Sequence, residues 1–329
     1  MNLKEKIIIT GGSGFLAKNL LNHINKEKFE VILLTRSREK KNQLKTIYKS
    51  VKTDVIDWNN QVDVNEKLKE ASYIIHTAAK VPTRSESNNF DIIKSSLKIA
   101  KRIVSANLNL KKLIFISTLR TCIDSNKKIM GDDTKYNFYK FDTAYGKSKF
   151  LTELYFKKYK NIIKYPVITC SPGHILGPDS PKISKSNEFI FNIFKKKVCF
   201  YTKTNYAIVD ISDVCKSVIL LLDSSNSSEK YLLCKKNPSM LDLIYICEQI
   251  QNKKKIKVYL PLFLINFVSY IFEFFNNKFK IKNMPINRSS YYFAKLNCSF
   301  EGTKIENKGL EYTDLNKTIN NLYNFYNNQ

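Results

Sequence analysis

The stretch TGGSGFLA, residues 10–17, gathers three of the nine glycines of a 329-residue chain. It follows the apolar run KIIIT (6–10) and opens an amphipathic segment from Gly14 to about Asn25, so the local order is strand, tight turn, helix. Glycine permits the turn and the close approach of a diphosphate, whose charge then sits at the positive end of the helix. A merely structural turn needs no such crowding in so glycine-poor a chain. Gly11, Gly12, Ser13, Gly14, Phe15 and Leu16 are therefore expected to bind a dinucleotide.

Outward from this turn, short apolar runs alternate with helical stretches. EVILLT (30–35), a segment near Val51–Asp54, YIIHTAA (73–79), LIFIST (113–118) and YPVITC (165–170) read as strands, with helices over 88–107 and about 142–160. Uniformly apolar strands separated by helices indicate a parallel sheet covered on both faces. The expected fold is α/β, a Rossmann-type doubly wound parallel sheet over residues 1–170. After Ser171 the alternation weakens, although apolar segments return at YAIVDI (206–211), VILLL (218–222) and YLLC (231–234). Residues 205–235 are accordingly assigned back to the nucleotide-binding part, and 171–329 mainly to a smaller, intertwined C-terminal substrate lobe.

Lysine and arginine number 55 against 29 acids, a formal charge of +26 that suggests an anionic partner. Only six of the 55 are arginine, the lysines are scattered, and Asn and Ile are abundant, a composition that an A- and T-rich genome produces. Nucleic acid is not the expected partner. The seven cysteines are dispersed without a C-x-x-C pair, and histidine occurs only at His23, His76 and His174, so a zinc site is not expected. Reduced thiols and the absence of an apolar leader before KIIIT point to a cytoplasmic protein. The run VYLPLFLINFVSYIFEFF (258–275) is interrupted by Pro261, Asn266, Ser269 and Glu273 and falls short of the ~20 apolar residues that span a bilayer. It is expected as a core or interdomain helix; contact with a membrane surface is the alternative, encouraged by lysines at 253–255, 278, 280 and 282.

The glycine stretch also resembles the fingerprint of the extended short-chain dehydrogenases/reductases, the superfamily of NAD-dependent epimerases and dehydratases, with Ala17 in place of a more usual glycine. Further pieces follow in the family's order: TDVID (53–57), HTAA (76–79), FIST (115–118), YGKSK (145–149), SPGHILGP (171–178), VDISDV (209–214) and FEGTKIENKGLEY (300–312). The resemblance implies that Asp54 contacts adenine and that Thr77, Ala78 and Ala79 lie beneath the cofactor. It implies that Thr118, Tyr145 and Lys149 are catalytic, with Tyr145 and Lys149 also touching the nicotinamide side, and that Pro172, Gly173 and His174 lie close by. It further implies a homodimer through the helices near 88–107 and 142–160.

Tyr-x-x-x-Lys occurs five times, and only Tyr145/Lys149 is preceded by the glycine turn, Asp54 and a strand ending in Thr118. One helical turn apart, the ammonium is expected to favour the phenolate, which then exchanges a proton with a secondary alcohol or carbonyl. Where an NAD enzyme of this fold usually ends its second strand with an acid, this chain has Thr35-Arg36-Ser37-Arg38; Arg36 and Arg38 suit a 2′-phosphate, making NADP(H) the expected cofactor and NAD(H) the alternative. Ile92 stands where a helix Asn often completes the family's proton relay. Leu119-Arg120 follow Thr118 in place of the dehydratases' Asp-Glu, and Lys203 alone stands near the usual diphosphate-gripping Arg. His174 lines the pocket or is structural, and His76 more readily supports its loop than moves protons. The expected activity is an NADP(H)-dependent oxidoreductase acting on a small-molecule secondary alcohol or ketone. The rivals are a nucleotide-sugar epimerase or reductase of surface polysaccharide synthesis and a non-catalytic dinucleotide sensor.

Overall fold

The computed structural model describes residues 4–78, 89–106, 108–124, 126–135, 143–178, 183–224, 227–279 and 288–328. Its strands are β1 (Glu5–Thr10), β2 (Phe29–Thr35), β3 (Lys52–Val55), β4 (Tyr73–His76), β5 (Lys112–Ile116), β6 (Ile129–Gly131) and β7 (Val167–Pro172). They continue as β8 (His174–Leu176), β9 (Val198–Tyr201), β10 (Ile208–Asp210), β11 (Lys230–Leu233), β12 (Ile256–Tyr259) and β13 (Ser299–Glu301). The helices are α1 (Phe15–Leu20), α2 (Arg38–Ile47), α3 (Gln61–Leu68), α4 (Asn89–Ser105), α5 (Ala144–Lys158) and α6 (Lys185–Lys195). After these come α7 (Ile211–Asp223), α8 (Met240–Gln251), α9 (Leu262–Phe279), α10 (Arg288–Leu296) and α11 (Leu315–Asn327).

Seven strands form one all-parallel sheet in the order β11-β7-β5-β4-β1-β2-β3. The strands are apolar throughout because both faces are covered. Ile7 and Ile9 join Leu33, Ile75 and Ile114 in a core closed by α1 and α7. Ile8 points the other way, into a second core with Leu34, Ile74, Leu113 and Phe115 under α3, α4 and α5. Burying one such side chain contributes roughly 1.5–3 kcal/mol, so neither face tolerates a polar alternation. Chain order reverses between β1 and β4, which places a crevice at the carboxyl ends of these strands.

The later apolar runs take different parts. YLLC supplies β11 at the edge of the main sheet, whereas YAIVDI supplies β10, which pairs with β8 in a separate small sheet. VILLL lies within α7, where Val214, Val218, Leu221 and Leu222 recur at helical spacing and face the sheet. Buried Lys112 fixes the end of that helix, its ammonium donating to the carbonyls of Leu221 (2.7 Å), Leu222 (3.0 Å) and Ser224 (2.8 Å). A third core, around Leu176, Ile190, Ile208, Leu243, Ile244 and Leu322, joins α6, α8 and α11. All seven cysteines are buried free thiols.

The run 258–275 divides at Pro261, with β12 before it and α9 after it. The expectation of a core helix is only half right: α9 buries Ile265 and Ser269 but leaves Phe263 70% and Phe267 62% exposed. Among the described residues no helix is long and apolar enough to cross a membrane.

Candidate active site

A cleft of about 510 Å³ opens at the carboxyl ends of the strands. One end is formed by backbone. Gly11 takes φ +74°, a left-handed conformation, and a β-carbon there would come within 2.8 Å of the Cα of Ala78. The Gly12 amide donates to the Leu34 carbonyl at 2.9 Å, and a side chain at Gly12 would meet Leu33. Gly11, Ser13, Gly14, Phe15 and Leu16 line the cleft, while Gly12 packs the turn against β2. Side chains cap the other helices whose caps are described: Ser37, Asn60, Thr143, Ser184, Asp210, Ser239 and Asp314. Helix α1 instead starts at Gly14 with no side-chain cap, leaving its first-turn amides for an anion. The close Gly11–Ala78 approach and this uncapped turn fit a dinucleotide's phosphates.

Arg36, Thr35 and Leu34 line the cleft at the end of β2. Arg38 begins α2, is exposed, and stands outside that lining. Asp54 also stands outside it. Burial opposes its charge, yet ion pairs at 2.7 Å with Lys41 and Lys67 hold the carboxyl well below the usual range. The neighbouring cleft residue is Trp58, the only tryptophan of the chain.

Thr77 and Ala78 line the floor, and Thr77 is tied down by a 2.7 Å bond from its hydroxyl to the Thr10 carbonyl. Ala79 lies outside the described residues. Beneath this floor His76 is buried, its Nδ1 2.7 Å from the Thr10 hydroxyl and its ring stacked on Phe115 at 5.5 Å. Burial, and then the Lys149 charge, lower its pKa to about 3, so it stays neutral at ordinary pH.

The other end is formed by side chains. Thr118 ends the β5 segment, lines the cleft and caps the 3₁₀ turn Leu119–Cys122 by accepting from the Arg120 amide at 3.4 Å. Thr143 caps α5 by accepting from the Gly146 amide at 3.2 Å, which places half-buried Tyr145 in the first turn and in the cleft. Lys149 is buried behind it, donating to the Ile116 carbonyl at 2.6 Å, with its nitrogen 4.8 Å from the Phe115 ring centre and 5.9 Å from that of Tyr145.

Burial lowers the Lys149 pKa to about 8, against the pull of Glu153. Burial also pushes the Tyr145 phenol up to about 12, although sequence spacing suggested acidification by Lys149. The cation that pulls the phenol back down is Arg120, a cleft residue. Its charge also reaches His174, a cleft residue whose side chain still reaches solvent and whose pKa is lowered by desolvation within the cleft first and by Arg120 second.

Pro172 and Gly173 complete this wall. A side chain at Gly173 would strike the Ala207 carbonyl at 2.6 Å, and the His174 amide donates to that same carbonyl at 2.7 Å. Ile92 is fully buried in α4 and offers only packing where a helix Asn would complete a proton relay. The lining residues not expected from the sequence include Ser117, Arg120, Ile99, Ser186, Ala207 and Phe300, besides Trp58. Phe300 had a sequence signal, since it opens the recurring element FEGTKIENKGLEY; Arg120 had one only as a departure from the dehydratase acids.

Three relatives place this geometry. Fatty acid hydroxylase uhd1 of Mycosarcoma maydis is 23% identical, across 56% of this chain and 65% of that protein, just under two thirds of its length. Tetraketide alpha-pyrone reductase 1 of Arabidopsis thaliana is 21% identical and covers 95% of this chain and 92% of its own. The crystal structure of Gre2 from Candida albicans in complex with NADPH superposes with a TM-score of 0.76 at 19% identity, over 98% of this chain and 99% of that one. The signature of the NAD dependent epimerase/dehydratase family matches residues 7–234, well over half the chain. The glycine turn, the doubly wound sheet and that match together show that the chain belongs to the NAD dependent epimerase/dehydratase family and is an NAD(P)-dependent enzyme of the extended short-chain dehydrogenase/reductase type.

Proposed function

We propose that the protein is an NADP(H)-dependent reductase of a small ketone, or the corresponding alcohol dehydrogenase, with Tyr145 as acid/base. The observation that carries this reading is the convergence of Thr118 and Tyr145 on one cleft wall, with Lys149 buried directly behind. Bound in the cleft, a nicotinamide would supply or accept the hydride. The Thr118 hydroxyl holds the substrate oxygen, and Tyr145 gives that oxygen its proton in reduction or removes it in oxidation. Lys149 steadies the phenol side of the site and would donate to a nicotinamide ribose hydroxyl. The glycine turn and the open first-turn amides of α1 would hold the phosphates, with Arg36 and Arg38 at the 2′-phosphate. Asp54, engaged by two lysines, acts on the adenine side by bracing β3, and Trp58 offers the adjoining surface.

Relatives named as reductases support this choice over epimerisation. Leu119-Arg120 in place of dehydratase acids and Lys203 in place of a diphosphate-gripping Arg count the same way. The reading includes a nucleotide-binding part in 1–170 and 205–235, a substrate lobe mainly in 171–329, and a homodimer through α4 and α5. Tyr145→Phe tests it: turnover falls by roughly a thousandfold while NADPH binding, followed by cofactor fluorescence, stays within about twofold. Near-normal turnover overturns it. NADPH binds about tenfold more tightly than NADH, and Arg36→Ala removes that preference; tighter NADH binding sinks the cofactor assignment.

A further inference from the structure

Helix α9 carries an outward face that the proposed chemistry does not use. Ile265 and Ser269 pack inward, whereas Phe263, Phe267 and Tyr270, spaced four and three residues apart, are 70%, 62% and 54% exposed. Leu264 and Ile271 flank them and are also exposed, and no charged residue occurs from Leu262 to Phe272. A surface helix normally turns polar residues outward; this one turns aromatic rings. The strand pair that leads into it continues the theme. In β9 and β12, Val198 lies opposite Ile256 and Phe200 opposite Val258, and Val198, Phe200 and Ile256 are exposed.

Where those two strands begin, Lys195, Lys196, Lys197, Lys253 and Lys254 are all exposed. None of the five has a carboxylate partner among the described residues, and the Ile256 amide bonds the Lys197 carbonyl at 2.8 Å, so the two lysine groups are neighbours. A second copy of the chain would bring the same lysines, and a formal charge of +26, against this surface. An anionic bilayer offers apolar depth for the rings and negative headgroups for the lysines. Since no described helix is long and apolar enough to cross a membrane, the fitting arrangement is α9 lying in the interface plane.

We propose that the aromatic face of α9, together with the lysines at the start of β9 and β12, docks this protein on anionic membrane surfaces. The docking is independent of which substrate the cleft takes.

The test is flotation of the full chain with vesicles of phosphatidylcholine alone and of phosphatidylcholine with about one-third phosphatidylserine. Protein floats with the anionic vesicles and stays behind with the neutral ones, and binding weakens as salt rises. The double variant Phe263→Ser/Phe267→Ser, checked for an unchanged melting temperature, binds at least roughly tenfold more weakly. Replacing Lys253 and Lys254 by Gln weakens binding by roughly fivefold per lysine and flattens the salt dependence. Absence of flotation with either vesicle overturns the proposal. So does a wild-type dimer in sedimentation that the double Phe variant converts to monomer, which would make this face a self-interface.

Discussion

The two ends of the cleft are built from different material. Around Gly11 the surface is backbone, held by a left-handed φ of +74° and by contact with Ala78. Around Tyr145 it is side chain, and its character is set by protonation: a phenol pushed up to about 12, an ammonium pulled down to about 8, and the Arg120 charge acting on both phenol and imidazole. At the backbone end an added methyl is the damaging change. At the side-chain end an altered charge is, even when shape is preserved. Substitutions chosen for one end should therefore leave the other's property alone.

Gly11→Val is the hardest blow to the backbone end. The new β-carbon would sit 2.8 Å from the Ala78 Cα in a conformation that a branched residue strongly avoids, at a cost of about 1–3 kcal/mol. NADPH affinity is expected to fall roughly a hundredfold, with the ascending pH limb of any residual turnover unmoved. Gly12→Ala provides the contrast, because its β-carbon would meet Leu33 at 2.7 Å inside the protein and so lower the melting temperature more than the affinity. Titration calorimetry beside thermal melting separates the two; equal affinity losses in both variants would break the distinction.

These two ends also differed in how far sequence could reach them. The glycine turn is local: residue type, a preceding strand and a following helix suffice, and the apolar strands around it had only one arrangement that buries both faces. Charge balance at Tyr145 is tertiary. Spacing alone puts Lys149 beside the phenol, but not that Lys149 donates to the Ile116 carbonyl or that enclosure outweighs the charge of Arg120. Asp54 shows the same limit, since the lysines that occupy it come from α2 and α3. In the first part of α9, Leu262 to Phe272, Asn266 and Ser269 are the polar side chains besides Tyr270, and Ser269 is buried, so periodicity had no polar face from which to tell inside from outside.

His76 lies where the ends meet, bonded to Thr10 on the glycine side and stacked on Phe115 beside Lys149. Its folded pKa of about 3 lies below the ordinary 6.5, so on acidification the unfolded chain takes up the proton first. Stability is therefore present above pH 6.5 and is lost as pH falls from there towards 3, by roughly 2 kcal/mol at pH 5. Denaturant melts of wild type and His76→Gln at pH 7 and pH 5 measure this, and the variant should lose correspondingly less between the two pH values. A shared support also implies that cofactor binding and turnover fail together in acid. Independent failure of the two would mean that the ends are mechanically separate.

The smallest effect is the most specific to the side-chain end. A positive charge near a phenol favours the phenolate, so removing it raises the phenol pKa and leaves less base at a given pH. Arg120→Met should shift the ascending limb of kcat/KM for alcohol oxidation to higher pH, lowering the rate at pH 8 by roughly threefold to tenfold. NADPH affinity should not change, because Arg36 and the glycine turn lie at the far end. Arg120→Lys keeps a charge at the same wall and should restore most of the limb, which a purely structural role for Arg120 would not predict. An unmoved limb in Arg120→Met would show that enclosure alone sets the Tyr145 phenol, and the contrast between the two ends would then reduce to shape.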